Sequence, residues 1–435
     1  MTPKELARRR RQLMRMMGPD SVAILPTAPE CIRNRDVEFP FRPDSDFYYL
    51  TGFPEPEAVL VLAPGREHGE FILFCRERDP VRETWTGRRV GPEGACEEYA
   101  ADDAFPVGDI DDILPGLMEG RERVFYTMGV RADFDQRMLG WLKRIRAGSR
   151  GGERTPDELI ALEHLVHDMR LYKSASELRI MRRAAKIAAD AHVRAMQATR
   201  PGLMEYAIEA EFAHAFRREG CEHAYSPIVG GGANGCILHY TENNARLNDG
   251  DLLLIDAGAE HECYASDITR TFPVNGRFSK AQRELYELVL DAQYAAIEEV
   301  RPGNHWDDPH DAAVKVLTKG LVQLGLLKGN VRKLIRDEAY KRFYMHRTGH
   351  WLGMDVHDVG DYKVGGQSRV LEKGMVMTVE PGLYIPAGMK GVAKKWGNIG
   401  IRIEDDVAVT KDGYEILSTG APKAVDEIEA IVGSG

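Results

Sequence analysis

Residues 252–272 read LLLIDAGAEHECYASDITRTF. Two apolar, β-rich runs are joined by a polar turn, with Asp256 in the first and Asp267 in the second. A carboxylate in a buried strand is costly unless something neutralises it. Two on adjacent strands also repel, which raises the apparent pKa of the pair. A divalent cation removes both costs, and it requires further ligands from elsewhere in the chain.

The chain has 435 residues, more than one ordinary core accommodates, and two domains are expected. Apolar content of 43% with 29% charged residues fits a globular chain. No apolar run approaches the roughly 20 residues that span a bilayer, so no membrane partner is expected. The first 18 residues, MTPKELARRRRQLMRMMG, lack a signal-peptide core, and they contain Glu5 and no serine, unlike a transit peptide. They are expected to form a helix with a solvated basic face, from Pro3 to Gly18. A net charge of −10 argues against nucleic acid. Cys31, Cys75, Cys96, Cys221, Cys236 and Cys263 form no CxxC pair. Their scatter suits small buried residues in a reduced compartment, so a cytoplasmic address is expected.

Along the first third, SVAILP, DFYYLTGF, AVLVLAPG and EFILFCRE read as strands. ADFDQRMLGWLKRIR and DELIALEHLVHDMRLYK read as helices, separated by the Gly-rich joint GSRGGE at 148–153. This alternation predicts an α/β domain over residues 1–172. From residue 173 onward a long helix capped by Ser174 or Ser176, and stopped by Pro201-Gly202, is followed by a second helix closed at Gly220. Strands at SPIVGGG and CILHY precede the opening stretch. Helices from Lys280 to Val300 and from Ala312 to Leu326, then strands over 362–409, repeat the order and hint at a duplication. Gly230, Gly232 and Gly235 match GxGxxG, but a strand-like run follows where a dinucleotide site needs a helix. These glycines are read as allowing a tight turn or close approach.

Four further segments carry ligand chemistry. MHRTGHWLGMDVHDVG holds His346, His350 and His357; TVEPGLY holds Glu380 at a strand end; GIRIEDDVAVT holds Arg402 and Glu404 on one strand face; CILHYTEN holds His239. Each has an ordinary reading taken alone, as a turn acid, a strand-end acid or a core histidine. The four-residue step from His346 to His350 resembles a helical zinc motif, but no Glu follows His346 and Gly349 weakens a helix. Taken together, two acids in the opening stretch, a histidine in a Gly-rich loop and two acids at strand ends make an oxygen-rich set. Such a set suits Mn²⁺ and also admits Co²⁺, Zn²⁺ or Fe²⁺. Five ligands are too many for one such ion and fit two sharing carboxylates, about 3.5–4 Å apart.

In this order, IDAG, DITRTF, GHWLG with VHDVG, TVEPGLY and GIRIEDD resemble the pita-bread metallopeptidases, and most closely the aminopeptidase P family. FRPDSDFYYLTGFPEPEAVLVL resembles that family's N-terminal domain, so the likeness spans nearly the whole chain. It implies an α+β catalytic domain of the creatinase and aminopeptidase type over residues 173–435. It implies removal of an N-terminal residue that precedes proline, with two divalent ions, manganese first. In that family's pattern Asp256 chelates one ion, His350 and Glu380 hold the other, and Asp267 and Glu404 bridge them. Glu380 also serves as the base. His239 and His357 contact substrate, His346 lies beside them, and Arg402 and Tyr384 orient the ligands. ETWTGRR resembles a segment presented to a neighbouring subunit, which implies a dimer or tetramer with Trp85 reaching another chain's site.

Prolidase shares the fold and ligands but needs a cation for the dipeptide carboxylate, which the sequence does not single out. Methionine aminopeptidase lacks an N-terminal domain of this kind. A binding module or a metal-free relative of creatinase type would be expected to lose ligands, and all five are present.

Overall fold

The structure is a computed structural model describing residues 1–148 and 154–434, so the joint expected at 148–153 lies, past Gly148, outside the described residues. The chain forms two compact units, Met1–Met169 and Arg170–Gly435. Among the described residues, no helix is long and apolar enough to cross a membrane.

The first unit is built on a six-stranded mixed sheet. In spatial order its strands are Asp103–Pro106, Phe71–Cys75, Val59–Leu62, Ser21–Pro26, Arg123–Phe125 and Glu158–Ile160. Ser21–Pro26 runs antiparallel to Val59–Leu62 and parallel to Arg123–Phe125. Helices Ile110–Met118 and Ala132–Gly148 face it with residues spaced three or four apart, Ile110, Leu114 and Met118 on one and Phe134, Met138, Trp141 and Ile145 on the other.

Several expectations fail here for local reasons. DFYYLTGF is helical over Ser45–Thr51, because Asp44 accepts the Phe47 N–H at 2.9 Å and Gly52 ends the turn in the left-handed region. The start of DELIALEHL is the edge strand Glu158–Ile160, and the helix runs only over Glu163–Leu171. Helix Pro3–Met17 forms where expected, but Arg9 and Arg10 are buried rather than solvated. Their guanidinium groups donate to the carbonyls of Tyr49 and Leu50 at 2.9 and 2.8 Å. They thereby satisfy carbonyls in the last turn of helix Ser45–Thr51, where positive charge is favourable. The cysteines are also mixed: Cys75 and Cys221 are buried, whereas Cys31 and Cys96 are exposed.

In the second unit, helix Ala175–Ala198 starts with a capping box of Ser174 and Glu177, and Glu205–Arg218 follows. Helix Lys280–Ile297 starts with a capping box of Ser279 and Gln282, and it packs on Asp308–Gln323. Three antiparallel groups of strands carry the acids: Ile228–Gly231 with Leu252–Asp256 and Thr269–Pro273; Val376–Val379 with Asp405–Val409 and Tyr414–Ile416; and Gly382–Ile385 with Ile399–Arg402. Apolar side chains of helices and strands merge into one core, including Ile187, Phe212, Leu253, Ile255, Val289, Val379 and Ile401.

The opening stretch is more elaborate than two strands and a turn. Asp256 is the last residue of its strand and Asp267 lies ahead of Thr269–Pro273, so the registered partner of Asp256 is Thr269. The connection is itself a small hairpin, Ala259–His261 with Tyr264–Ala265. CILHY is not a strand. Gly232–Cys236 is a 3₁₀ turn, and the chain then bends through His239. Of the glycines there, Gly230 is tightly placed, since its Cβ would lie 2.9 Å from the Asn234 carbonyl carbon, and Gly400 lets its strand approach the turn, since its Cβ would lie 2.0 Å from the Gly235 carbonyl oxygen.

Candidate metal centre

The strand ends converge on a cavity of about 270 Å³ lined by His239, Asp256, Asp267, His346, His350, His357, Glu380, Arg402 and Glu404, among others. Tyr384 joins from behind through hydrogen bonds to His346 and Arg402. All ten residues singled out in the sequence therefore meet at one place in the second unit. Glu380 follows the strand Val376–Val379, and Glu404 sits at the bend between Ile399–Arg402 and Asp405–Val409. The two-residue spacing predicts Arg402 and Glu404 on one face of a single strand; the strand instead ends at Arg402 and the next begins at Asp405, and both residues still reach the cavity.

Asp267, His350 and Glu404 each offer a ligand atom within 4.8 Å of the others. The His350 loop is not helical. A Cβ on Gly349 would lie 2.0 Å from the Thr378 carbonyl oxygen, so only glycine lets this loop lie against the strand. His350 Nδ1 lies 2.9 Å from the Trp351 carbonyl and donates to it, which leaves Nε2 facing the acids, a donor in the protonated ring and a metal ligand once that proton is lost. That Nε2 faces Asp267 at 3.4 Å and Glu380 at 3.6 Å.

The electrostatics are those of acids crowded beyond their counter-charges. Burial, and then repulsion from Asp267, push Asp256 up to about 6 despite Arg402. Burial raises Glu380 to about 7, with His350 and Arg402 opposing. Burial and the neighbouring acids carry Glu404 well above the ordinary carboxylate range. Asp267 is the exception: burial opposes its charge, but hydrogen bonds from His350 and Tyr225 hold it below the ordinary value. Burial alone would depress His350, yet Asp267 and Glu380 raise it to about 9. Among the side chains lining the cavity, the four acids find their paired positive charge in Arg402 and His350, and a divalent cation is the group that this donor set fits.

Arg402 organises one wall. It donates to Asp256 at 2.7 Å, to Thr269 at 3.1 Å and to the Tyr384 hydroxyl at 3.0 Å. His346 Nδ1 donates to the Arg347 carbonyl at 2.7 Å, so its Nε2 accepts the Tyr384 O–H at 2.9 Å. Burial and Arg402 push His346 down to about 3, consistent with a neutral ring. His357 packs edge-on against His350 with ring centres 4.3 Å apart, and burial followed by repulsion from His350 lowers it.

Sequence reasoning passed over Tyr225, Thr269 and Thr378. The Tyr225 hydroxyl lies 2.5 Å from an oxygen of Asp256 and of Asp267, one proton between two carboxylates. Thr269 donates to Glu404 at 2.6 Å, and Thr378 to Glu380 at 3.3 Å. Tyr225 carries no motif of its own. Thr269 was findable, because a residue paired with Asp256 across two strands must lie beside it.

Buried acids that exceed their counter-charges, gathered with an imidazole that can join them as a ligand, are the mark of a metal-dependent hydrolase. Comparison with known proteins agrees. Residues 179–411 match metallopeptidase family M24 and residues 6–126 match the aminopeptidase P N-terminal domain. The chain is similar to the Xaa-Pro aminopeptidase of Escherichia coli, at 47% identity over 99% of this chain and 97% of the relative. It is similar in structure to the aminopeptidase PepP of Pseudomonas aeruginosa, at 61% identity and TM-score 0.99 over 100% of this chain and 98% of the other. Zn-substituted aminopeptidase P of E. coli in complex with product superposes with TM-score 0.96 at 46% identity, covering 99% and 98% of the two chains. The chain belongs to metallopeptidase family M24, with the aminopeptidase P N-terminal domain ahead of a pita-bread catalytic domain. It is a hydrolase that works with divalent metal ions.

Proposed function

We propose that this member of the aminopeptidase P family releases the first residue from peptides whose second residue is proline, with two divalent ions at the cavity. The observation that carries the reading is the buried excess of acid around His350, in a chain so similar to Xaa-Pro aminopeptidases from end to end. Asp256, Asp267, His350, Glu380 and Glu404 are the residues that would hold the ions. The oxygen-rich set favours manganese, with zinc or cobalt as substitutes. Bound there, such ions supply Lewis acidity and a reactive water at neutral pH.

The protein's own groups do the rest. Acidic walls attract the substrate's free ammonium. Glu380, on the cavity wall just past the strand Val376–Val379, takes a proton from the attacking water and returns it to the proline nitrogen as it leaves. His239 and His357, on the cavity wall, donate to the oxyanion as it develops. Arg402 and Tyr384 fix Asp256 and His346, so that the donors are aimed before substrate arrives. Proline at the second position has no amide N–H, and a site built for it does without that donor.

The same reading divides the chain at residues 172 and 173 and places the protein in the cytoplasm as a homotetramer or dimer. Trp85, which lies near the end of the short helix Pro80–Thr86 rather than in a loop, is 85% exposed and free to reach a neighbouring subunit. The test is hydrolysis of Gly-Pro-Ala and of Gly-Pro by metal-loaded protein. Cleavage of the tripeptide supports the reading; cleavage of the dipeptide alone turns it into a prolidase, and cleavage of neither defeats it.

A further inference from the structure

Glu205 is the first residue of helix Glu205–Arg218 and is fully buried, yet it is not part of the cavity. Its carboxylate accepts four hydrogen bonds. One oxygen takes the Gly231 N–H at 2.8 Å and the Asn234 amide at 3.0 Å; the other takes the Tyr240 hydroxyl and the Ala245 N–H, both at 2.8 Å. Two of these donors precede His239 and two follow it, so one side chain ties down both flanks of the segment. The next turn of the same helix adds a second tie. Glu209 accepts from Asn243 at 2.9 Å, while Asn243 accepts the Val229 N–H at 2.9 Å and donates to the Pro227 carbonyl at 2.9 Å.

His239 itself is exposed at the bend and lines the cavity. Its place there is set by the backbone that carries it, and that backbone is held by Glu205. We propose that Glu205 is the positioning residue for His239, setting the distance between that imidazole and the reacting carbonyl. This rests on the reading of His239 as a group that faces substrate. The chemistry requires an acid. Four donors need a partner that only accepts, and each carboxylate oxygen meets one backbone N–H that cannot turn around. A glutamine in either orientation would set its NH₂ against one of them, leaving buried donors opposed.

The test is a double-mutant cycle on the full-length, metal-loaded protein with Gly-Pro-Ala as substrate. Glu205→Gln is expected to lower kcat by about 10- to 100-fold, the range for a displacement of about 1 Å. In a His239→Ala background the same change is expected to cost less than about 2-fold, because the group it positions is gone. Equal factors in both backgrounds would overturn the proposal, as would a His239→Ala variant with full activity. Tyr240→Phe removes one donor and keeps the acid; it is expected to lower kcat by about 3-fold with the same loss of effect beside His239→Ala. It decides the matter if Glu205→Gln does not fold. Hydrogen exchange across residues 229–245 gives a reading independent of activity. Faster exchange at Gly231 and Ala245 in either variant is expected, and unchanged protection would overturn the proposal. A wild-type protein that cleaves no Xaa-Pro peptide would defeat the peptidase reading, whatever the exchange shows.

Discussion

Glu404 and Asp405 are neighbours in the chain and both are buried, but they face opposite surroundings. Glu404 points into the cavity among Asp256, Asp267 and Glu380, and its pKa is driven well above the carboxylate range by burial and then by those acids. Asp405 points away, toward Arg270 at 2.7 Å, Lys423 at 2.5 Å, Ser418 at 2.6 Å and Gln293 at 2.9 Å. Burial opposes its charge too, yet Arg270 and Lys423 hold it down at about 2. One buried acid is saturated by the protein and the other is left with unmet charge. The saturated acid ties together the strands, while the unmet one defines a place for a cation. Burial of acids does not mark a functional site; an excess of acids over their internal partners does.

The contrast can be broken at several points. Removing a ligand should have the largest effect: Asp267→Ala or Glu404→Ala is expected to lose bound metal and to lower kcat/KM by more than about 100-fold, the upper range for outer partners of a metal site. Metal analysis of the purified variants checks this. Asp405→Ala should instead act on stability, by about 3–5 kcal/mol, because it strands buried positive charge. Denaturant unfolding measures the loss, and the fraction that remains folded should still bind metal. Tyr225→Phe removes the hydroxyl between Asp256 and Asp267, and is expected to weaken metal affinity by about 10-fold, read by competition with a chelator.

The smallest effect is a pH dependence. In chelated protein Asp256 and Glu380 have raised pKa values, so the folded chain holds more protons than the unfolded one above the ordinary carboxylate range. The stability they lend is present below that range and is lost as pH rises through about 6 for Asp256 and about 7 for Glu380. His350, raised to about 9, acts in the same direction over the upper part of that window. The Tm of chelated protein should therefore be higher at pH 5 than at pH 7.5. Added metal should reverse the order, because it binds the deprotonated ligands. A chelated Tm that rises with pH over this range would contradict the crowding of unmet charge.

The sequence made some of this legible and hid the rest. Asp256 and Asp267 stood out because an acid amid LLLID and DITRTF breaks an apolar pattern. His350, Glu380 and Glu404 gained meaning only as a set, and their roles came through resemblance to a family. Periodicity could not tell Glu404 from Asp405, since the difference lies in Arg270 and Lys423, which are distant in sequence from one or both acids. DFYYLTGF looked like a strand by composition, but its conformation was decided by one capping bond, from the Phe47 N–H to the Asp44 carboxylate. Arg9 and Arg10 looked solvated because their partners are backbone carbonyls, which composition does not display. Glu205 was silent for a similar reason. Two of its four partners are main-chain N–H groups whose positions exist only once the loop has folded.

Equilibrium dialysis of chelated wild-type protein and Glu404→Gln against Mn²⁺ tests the central claim most directly. The account predicts two ions per wild-type chain and fewer, more weakly held ions in Glu404→Gln. No bound ion in the wild type, or equal binding by the two proteins, would contradict it.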